Sequence, residues 1–331
     1  MTITVPRRRR LAAVLAAATA VAVGVSGCSG SSGGSKSIRL VAYSVPKPAY
    51  DALATAFAKT SDGKGVKFYP SYGPSGTQSK NVLGGQKADY VGFSVTPDLT
   101  KLVPSKVADN WDSGPTKGIV SRSVVVIVVR KGNPLHITGW DDLVKPGVKI
   151  VTPSPSSSGS AKWNILAAYT HVLAQGGTQA QAQDYLKQFY AHVVSRARSG
   201  AVATQQFVGG TGNVLISYED EAITARAKGN AVDYIVPEQT VLIENPAAVT
   251  KKASSVAKKF LEFAESDAGQ KIFASKGFRP VVDGLQLGPV PGANDPNNPY
   301  PAVQHLVTVA SLGGWSKVND EFFGDNGIDT K

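Results

Sequence analysis

The sequence is poor in cysteine and histidine, and these shortages exclude several kinds of site. Cys28 is the only cysteine among 331 residues, so the chain forms no disulfide within itself and no cysteine-based zinc site. The four histidines are His136, His171, His192 and His305. None has metal-ligand spacing, and no Walker, Rossmann, His-Glu-x-x-His or Gly-x-Ser-x-Gly motif is present. We therefore predict a protein that is not an enzyme and that uses no metal and no cofactor.

Positive charge is in excess, but it is not arranged as in a nucleic-acid-binding protein. The formal net charge is +11, and four of those charges are Arg7–Arg10, which leaves +7 for the rest of the chain. The other basic residues are scattered, with no run longer than a pair such as Lys251-Lys252 or Lys258-Lys259. The sequence predicts no nucleic-acid partner and a mildly basic surface that attracts anions.

Only one long apolar stretch is present, and it is typical of an export signal. Leu11–Val25 follows four arginines and precedes Ser-Gly-Cys, which gives a basic region, a short apolar core and a small-residue cleavage site. The stretch is too short for a membrane span. Its last residues, Val-Ser-Gly-Cys, are similar to a bacterial lipobox. We predict a signal peptide over residues 1–27, lipidation of Cys28, and a flexible Ser/Gly tether over residues 28–36 at the outer face of the membrane.

Beyond the tether, strand-like and helix-like segments alternate. Strands are predicted over residues 38–43, 65–69, 88–93, 148–151, 213–217, 232–236 and 240–243. Helices are predicted over residues 49–59, 78–84, 161–174, 178–192, 255–266 and 268–275. The alternation indicates an α/β fold with a mostly parallel sheet. The β-branched run Ser123–Arg130 predicts a long buried strand that crosses between two lobes.

Two Ser-Gly turns each follow a predicted strand and open a predicted helix. They are Ser71–Thr77 and Thr152–Ser160. This layout gathers backbone N–H groups and hydroxyls at a helix N-terminus, where an anion is favoured. A third small-residue turn, Arg198–Thr204, and Tyr218 at a strand end add further hydrogen-bond donors. We predict one anion held from two sides.

These segments give the chain a resemblance to a known family, the sulfate/thiosulfate-binding proteins of bacterial ABC importers. The matching stretches are, in order, Arg130–Pro134, Trp140–Leu143, Lys145–Val148, Thr152–Ala168, Val214–Ala222, Gly277–Pro280 and Gly313–Trp315. The resemblance implies a two-lobed periplasmic-binding-protein fold of type II, with the ligand in the cleft. We assign residues 37–122 and 243–331 to lobe 1 and residues 123–242 to lobe 2.

The resemblance also implies which residues bind the ligand. They are Ser44, Val45, Ser75, Ser158, Gly159, Ser160, Gly200, Ala201 and Tyr218. Tyr218 stands where the family usually has Trp, Ser160 replaces a glycine, and Val45 replaces an aspartate. Every predicted group is a donor, although a phenol also accepts. A site of donors suits sulfate, which carries no proton, and leaves the proton of hydrogenphosphate unpaired.

The residues alone leave other functions open. Molybdate, tungstate or phosphate are alternative ligands of the same kind of protein. A secreted serine hydrolase using Ser75 or Ser158 is a different class, although no histidine lies close in sequence to either serine. A structural or adhesive surface lipoprotein would bind no small molecule. The leading prediction is a monomeric lipoprotein that captures sulfate or thiosulfate and delivers it to the membrane subunits of an ABC import permease.

Overall fold

Strands and helices alternate along residues 36–324, the part of the chain that this computed structural model describes. The strands are β1 (Ser37–Tyr43), β2 (Lys67–Gly73), β3 (Tyr90–Gly92), β4 (Ile119–Arg130), β5 (Ile150–Pro153), β6 (Val193–Ala197), β7 (Val214–Tyr218), β8 (Val232–Ile235), β9 (Gln239–Val249) and β10 (His305–Val307). The helices are α1 (Lys47–Phe57), α2 (Ser75–Leu83), α3 (Thr96–Thr100), α4 (Gly159–Ala174), α5 (Gln179–Ala191), α6 (Gly200–Val208), α7 (Glu219–Ala227), α8 (Ser255–Glu265), α9 (Asp267–Ser275) and α10 (Gly314–Val318). The predicted signal peptide and Cys28 lie outside the described residues.

The strands form one connected, mixed sheet. Its order is β2-β1-β3-β9-β4-β7-β5-β6, with β10 beside β9 and β8 beside β4. β1 runs parallel to β2 and β3, and β5 runs parallel to β6 and β7. β9 runs antiparallel to β3 and β4, and β4 runs antiparallel to β7 and β8. The α/β architecture expected from the alternating segments is therefore present.

The long strand β4 changes partners along its length. Its first half, up to Val124, pairs with β9, and its second half, from Val125 onwards, pairs with β7 and β8. Residues Val124–Val129 are all at most 2% exposed, because both faces of the strand are covered. The β-branched run thus forms the long buried strand that the sequence predicts, and it links two parts of the sheet. The exact limits of the two lobes stay a prediction.

Aromatic side chains fill the core on the β1 side of the sheet. The ring of Phe260 on α8 contacts Phe57, Phe68 and Tyr90, with centroids 5.4, 4.9 and 5.3 Å apart. The rings meet edge to face, a geometry that contributes about 0.5–1.5 kcal/mol per pair beyond the area buried. This cluster fixes helices α1 and α8 against the sheet, where Phe68 pairs with Ile38 and Tyr90 pairs with Leu40 of β1.

Buried carboxylates open helix α7. Glu219 is fully buried and forms a two-pronged ion pair with Arg279, whose Nε lies 2.7 Å from Oε2 and whose Nη2 lies 3.1 Å from Oε1. Burial raises the pKa of Glu219, and the guanidinium opposes that rise.

Within residues 36–324, no cluster of His, Cys, Asp and Glu is arranged to hold a metal ion. Over the same residues, no helix has the length and apolarity that crossing a membrane requires.

Candidate ligand-binding site

Both Ser-Gly turns connect the carboxyl end of a strand to a helix, as predicted. β2 leads into α2 at Ser75, and β5 leads into α4 at Gly159. The residues that precede these helices, Pro74 and Ser158, have extended backbones and make no side-chain capping hydrogen bond. The first N–H groups of a helix lack intrahelical acceptors. The N-termini of α2 and α4 therefore offer backbone donors to a ligand.

Ser94 brings the two turns together. Its N–H donates to Oγ of Ser75 at 3.0 Å, and its own Oγ lies 2.6 Å from the phenol oxygen of Tyr218. A Cβ added at Gly159 would lie 2.6 Å from Oγ of Ser94 and 3.4 Å from Cβ of Ser75. Three of the predicted ligand-binding residues thus surround one residue that sequence reasoning did not select.

The carbonyl of Ser94 is also fixed. It accepts hydrogen bonds from Nε1 of Trp163 at 2.9 Å and from Nδ2 of Asn245 at 3.0 Å. All the polar groups of this buried residue therefore have partners. A sequence signal for Ser94 exists, because it follows buried strand β3 and precedes α3, which is the strand-turn-helix order of the two selected turns. It lacks only the glycine that marks them.

A second group of predicted residues meets around Gly200, at the start of α6. A Cβ added there would lie 2.8 Å from Oγ of Ser160, 3.1 Å from Cγ2 of Val45 and 3.1 Å from Oε2 of Glu221. The side chain of Ser160 also acts on Tyr218, because it opposes the rise that burial causes in the pKa of the Tyr218 phenol. The loop after β1 and the N-termini of α4 and α6 therefore join the group around Ser94.

All nine predicted ligand-binding residues consequently lie in one region. Seven are buried, namely Val45, Ser75, Ser158, Gly159, Ser160, Gly200 and Tyr218. Ser44 and Ala201 are partly exposed and line a cleft of about 700 Å³ beside the buried group. The nine residues therefore form a mostly buried group that borders an open cleft.

Comparison with known proteins assigns the family. Residues 38–279 match the bacterial extracellular solute-binding proteins. The chain belongs to this family. The structure of the sulfate-binding protein SubI from Mycobacterium tuberculosis H37Rv is 44% identical, with a TM-score of 0.81 over 87% of this chain and 100% of that one. The sulfate-binding protein of Synechococcus elongatus is 38% identical over 97% of this chain and 95% of its own, and that of Escherichia coli K12 is 31% identical over 87% and 90%.

These matches confirm the resemblance and the fold class. The chain has the two-lobed, type II fold of periplasmic binding proteins, with helices flanking a mixed sheet. As a solute-binding protein it acts outside the cytoplasm in transport and is not an enzyme.

Two carboxylates border the site of this solute-binding protein, and the predicted donor set omits both. Oγ of Ser75 donates to Oδ2 of Asp98 at 2.7 Å, and Oγ of Ser217 donates to Oε2 of Glu221 at 2.9 Å. Burial raises the pKa of Glu221 to about 7, while the hydroxyls of Ser217 and Thr204 oppose the rise. The description of the site as donors alone is therefore incomplete.

Two tyrosines of this binding protein supply neutral hydroxyls. Burial raises the pKa of Tyr218, so its phenol stays protonated and keeps a proton to donate. The ring of Tyr43 lies 6.5 Å from that of Tyr218, and its buried hydroxyl has no hydrogen-bond partner among residues 36–324. The sequence did not indicate a role for Tyr43, because Tyr43 ends an apolar strand and its position predicts a core residue.

Proposed function

We propose that this protein captures sulfate, with thiosulfate as a second ligand, and delivers it to an ABC import permease. The observation that carries the proposal is the convergence of the uncapped N-termini of α2 and α4 on the hydroxyls of Ser94 and Tyr218. A helix N-terminus favours an anion by up to about 2 kcal/mol in a partly buried site. The names of the similar proteins support sulfate as the anion.

We assign the ligand contacts to the nine predicted residues. The hydroxyl proton of Ser75 points to Asp98, so the contribution of Ser75 is its backbone N–H at the start of α2. Gly159 and Ser160 contribute N–H groups at the start of α4, and the hydroxyl of Ser158 is not used in capping that helix. The remaining donors are the Tyr218 phenol and N–H groups at Ser44 or Val45 and at Gly200 or Ala201.

The proton that hydrogenphosphate carries favours sulfate at such a site, since the two ions have the same charge. Both oxygens of Asp98 are engaged, one by Ser75 and the other by Nζ of Lys101 at 3.1 Å. Oε2 of Glu221 already accepts from Ser217. The proton of hydrogenphosphate would compete with Ser75, Lys101 and Ser217 for these carboxylate oxygens, and an unpaired buried polar group costs about 1–3 kcal/mol. We expect sulfate to bind about 10- to 100-fold more tightly than phosphate.

We further infer how the protein is anchored and how it closes. Lipidation of Cys28 after removal of residues 1–27, with a tether over residues 28–36, is supported by the lipobox-like sequence. The lobe limits given above are supported by the change of partners in β4 between Val124 and Val125. Ser75 and Ser94 then belong to one lobe and Gly159 and Tyr218 to the other, so the ligand favours the closed state of a monomer.

Thermal unfolding of exhaustively dialysed protein tests the proposed ligand. A ligand at about 100 times its dissociation constant stabilises the folded state by about 2.7 kcal/mol, which raises the melting temperature by several degrees. We expect a rise with sulfate and thiosulfate and little change with phosphate at equal ionic strength, and a rise with molybdate would favour the alternative ligand. No rise with any oxyanion, together with no retained sulfate in the dialysed protein, would overturn the proposal. Turnover of an ester by Ser75 or Ser158 would favour a hydrolase instead.

A further inference from the structure

A second pocket lies at the opposite end of the strands that lead into the ligand site. β1 and β3 point their carboxyl ends at the site, and residues at their amino ends line a cavity of about 570 Å³. We call this cavity the basic pocket, because five basic residues line it, namely Arg39, Lys87, Lys106, Lys251 and Lys252. A seven-residue strand such as β1 spans about 20 Å, so the basic pocket and the ligand site lie at separate edges of the sheet.

Asp89 is the acidic residue that lines the basic pocket, and its carboxylate forms an ion pair with Arg39. Nε of Arg39 lies 2.9 Å from Oδ2 and Nη2 lies 3.2 Å from Oδ1, while the N–H of Arg39 donates to Oδ2 at 2.8 Å. The Asp89 side chain is only 4% exposed. The carboxylate of Asp89 therefore neutralises the guanidinium of Arg39. The four lysines give the pocket an excess of positive charge.

The four lysines have no acidic partners in the part of the chain that the structure describes. Within residues 36–324, none of Lys87, Lys106, Lys251 and Lys252 forms an ion pair, and all but half-buried Lys106 are exposed. The backbone holds two of them together, because the N–H of Lys251 donates to the carbonyl of Lys106 at 2.8 Å. Ordered backbone thus keeps like charges close together, and the resulting positive potential attracts an extended negative partner.

The chain enters the fold at the same edge. Lys36 precedes β1, and its carbonyl accepts from the N–H of Lys67 at 2.9 Å. Cys28, the proposed site of lipidation, stands eight residues before Lys36. Eight residues reach at most about 30 Å at full extension. If Cys28 carries the lipid, the anchor holds the edge with the basic pocket near the membrane.

We propose that the basic pocket docks on the anionic phospholipid headgroups of the membrane. The unpaired lysines supply the attraction, with about a fivefold gain in membrane binding for each lysine near an anionic surface. Docking in this orientation points the ligand site away from the bilayer and towards the medium. The attraction is screened beyond about 8 Å at physiological ionic strength, so the docked state is reversible and the protein remains able to turn towards a permease.

Vesicle co-sedimentation tests this docking without the lipid anchor. Residues 35–331 form one compact unit, so protein starting at residue 29 retains the fold and lacks both the signal arginines and Cys28. The probes are vesicles of phosphatidylglycerol and phosphatidylcholine at low salt, and vesicles of phosphatidylcholine alone. The test variant combines Lys106→Gln, Lys251→Gln and Lys252→Gln. The matched control combines Lys131→Gln, Lys149→Gln and Lys271→Gln, which removes the same charge from exposed lysines outside the basic pocket.

The proposal expects binding to the anionic vesicles only, with a loss on the order of 100-fold in the test variant and a loss of less than about threefold in the control. Equal losses in the two variants would show that binding depends only on net charge, and would overturn the proposal that the basic pocket is the docking site. No binding to anionic vesicles would also overturn it. Inhibition by free phosphate beyond that of sodium chloride at the same ionic strength would show a site for the free ion and would overturn membrane docking. Saturating sulfate is expected to change nothing, so the outcome is independent of the proposed function.

Discussion

The hydroxyl of Ser94 lies 2.6 Å from the phenol oxygen of Tyr218, and both side chains are buried. Ser94 follows β3 and Tyr218 ends β7, so this hydrogen bond joins the two predicted lobes. One hydroxyl must donate to the other, which leaves the pair with one proton for a ligand. The pair therefore presents a single donor to a ligand.

Removing either hydroxyl of this pair is expected to weaken sulfate binding. Ser94→Ala leaves Tyr218 without its partner, and Tyr218→Phe removes the phenol, so we expect each to raise the Kd about 10-fold or more. Because the two hydroxyls act as a unit, the double variant is expected to bind little more weakly than either single one. Titration calorimetry of the four proteins measures the coupling. Strictly additive losses would show that the two hydroxyls act independently.

Ser158 and Ser199 are expected to give opposite results when replaced by alanine. Both precede a helix, but only Ser199 caps its helix, accepting from the N–H of Val202 at 3.3 Å. Ser199→Ala is expected to lower the free energy of unfolding by about 1 kcal/mol. Ser158→Ala is expected to leave the ligand-free stability nearly unchanged and to weaken sulfate binding about 10- to 100-fold, the value of a hydrogen bond to a charged group. Equal stability losses in denaturant titrations would contradict this assignment.

A methyl group at Gly200 is expected to obstruct the site. The Cβ would lie 2.8 Å from Oγ of Ser160 and 3.1 Å from Oε2 of Glu221, both closer than ordinary contacts. We expect Gly200→Ala to weaken sulfate binding by at least 10-fold, because overpacking of this kind costs about 1–3 kcal/mol. Gly114→Ala is the control, since a Cβ there would meet nothing within 4 Å. Unchanged affinity in Gly200→Ala would place the ligand elsewhere.

Local sequence pattern predicted the parts of the site that rest on strand-turn-helix units. The turns at Ser75 and Ser158 carry small residues between an apolar run and a helix, and both form as predicted. Ser94 and Asp98 were missed because their roles depend on partners distant in sequence. Ser94 contacts Tyr218 at a separation of 124 residues, and Asp98 contacts Ser75 at a separation of 23. The strand-turn-helix order marks the position of Ser94, but it does not indicate that Ser94 contacts Tyr218 or that Asp98 contacts Ser75.

The same reason explains the secondary structure that was missed. The acidic run that begins at Glu219 forms the buried first turn of α7, and no local pattern indicates that burial. Burial is possible because Arg279, 60 residues away, neutralises Glu219. Strand β6 was not predicted because its side chains are half-buried or exposed except at Ala197, which gives no apolar pattern. Long-range pairing with β5 fixes it.

Loss of Arg279 is expected to destabilise the fold strongly. Arg279→Ala leaves the fully buried carboxylate of Glu219 without its partner, which costs about 3–5 kcal/mol. The double variant Glu219→Met/Arg279→Met removes both charges and is expected to recover most of that loss. Lys187→Ala is the control, because its ion pair with Asp184 is exposed and worth less than about 1 kcal/mol. Equal effects of Arg279→Ala and Lys187→Ala in urea titrations would contradict the structure.

The stability of the protein is expected to depend on pH through Glu221. Its pKa of about 7 in the folded protein lies above the ordinary value of 4.5 because the carboxyl is buried. Between these two pH values the folded state binds more protons than the unfolded state, so the free energy of unfolding falls as the pH rises. Stability from this group is fully present below about pH 4.5 and is lost above pH 7, a change of about 3 kcal/mol.

Glu221→Gln isolates this contribution. The amide oxygen still accepts from Ser217, but the side chain no longer ionises. Denaturant titrations at pH 5, 6, 7 and 8 are expected to show a flatter profile in the variant, with the variant the more stable protein at pH 8. Asp220 also has a raised pKa, and part of the rise comes from the charge of Glu221. Glu221→Gln also removes that part of the rise, so the difference between the profiles reports on Glu221 together with its effect on Asp220. Parallel profiles would show that the carboxyl of Glu221 is solvated in the folded protein.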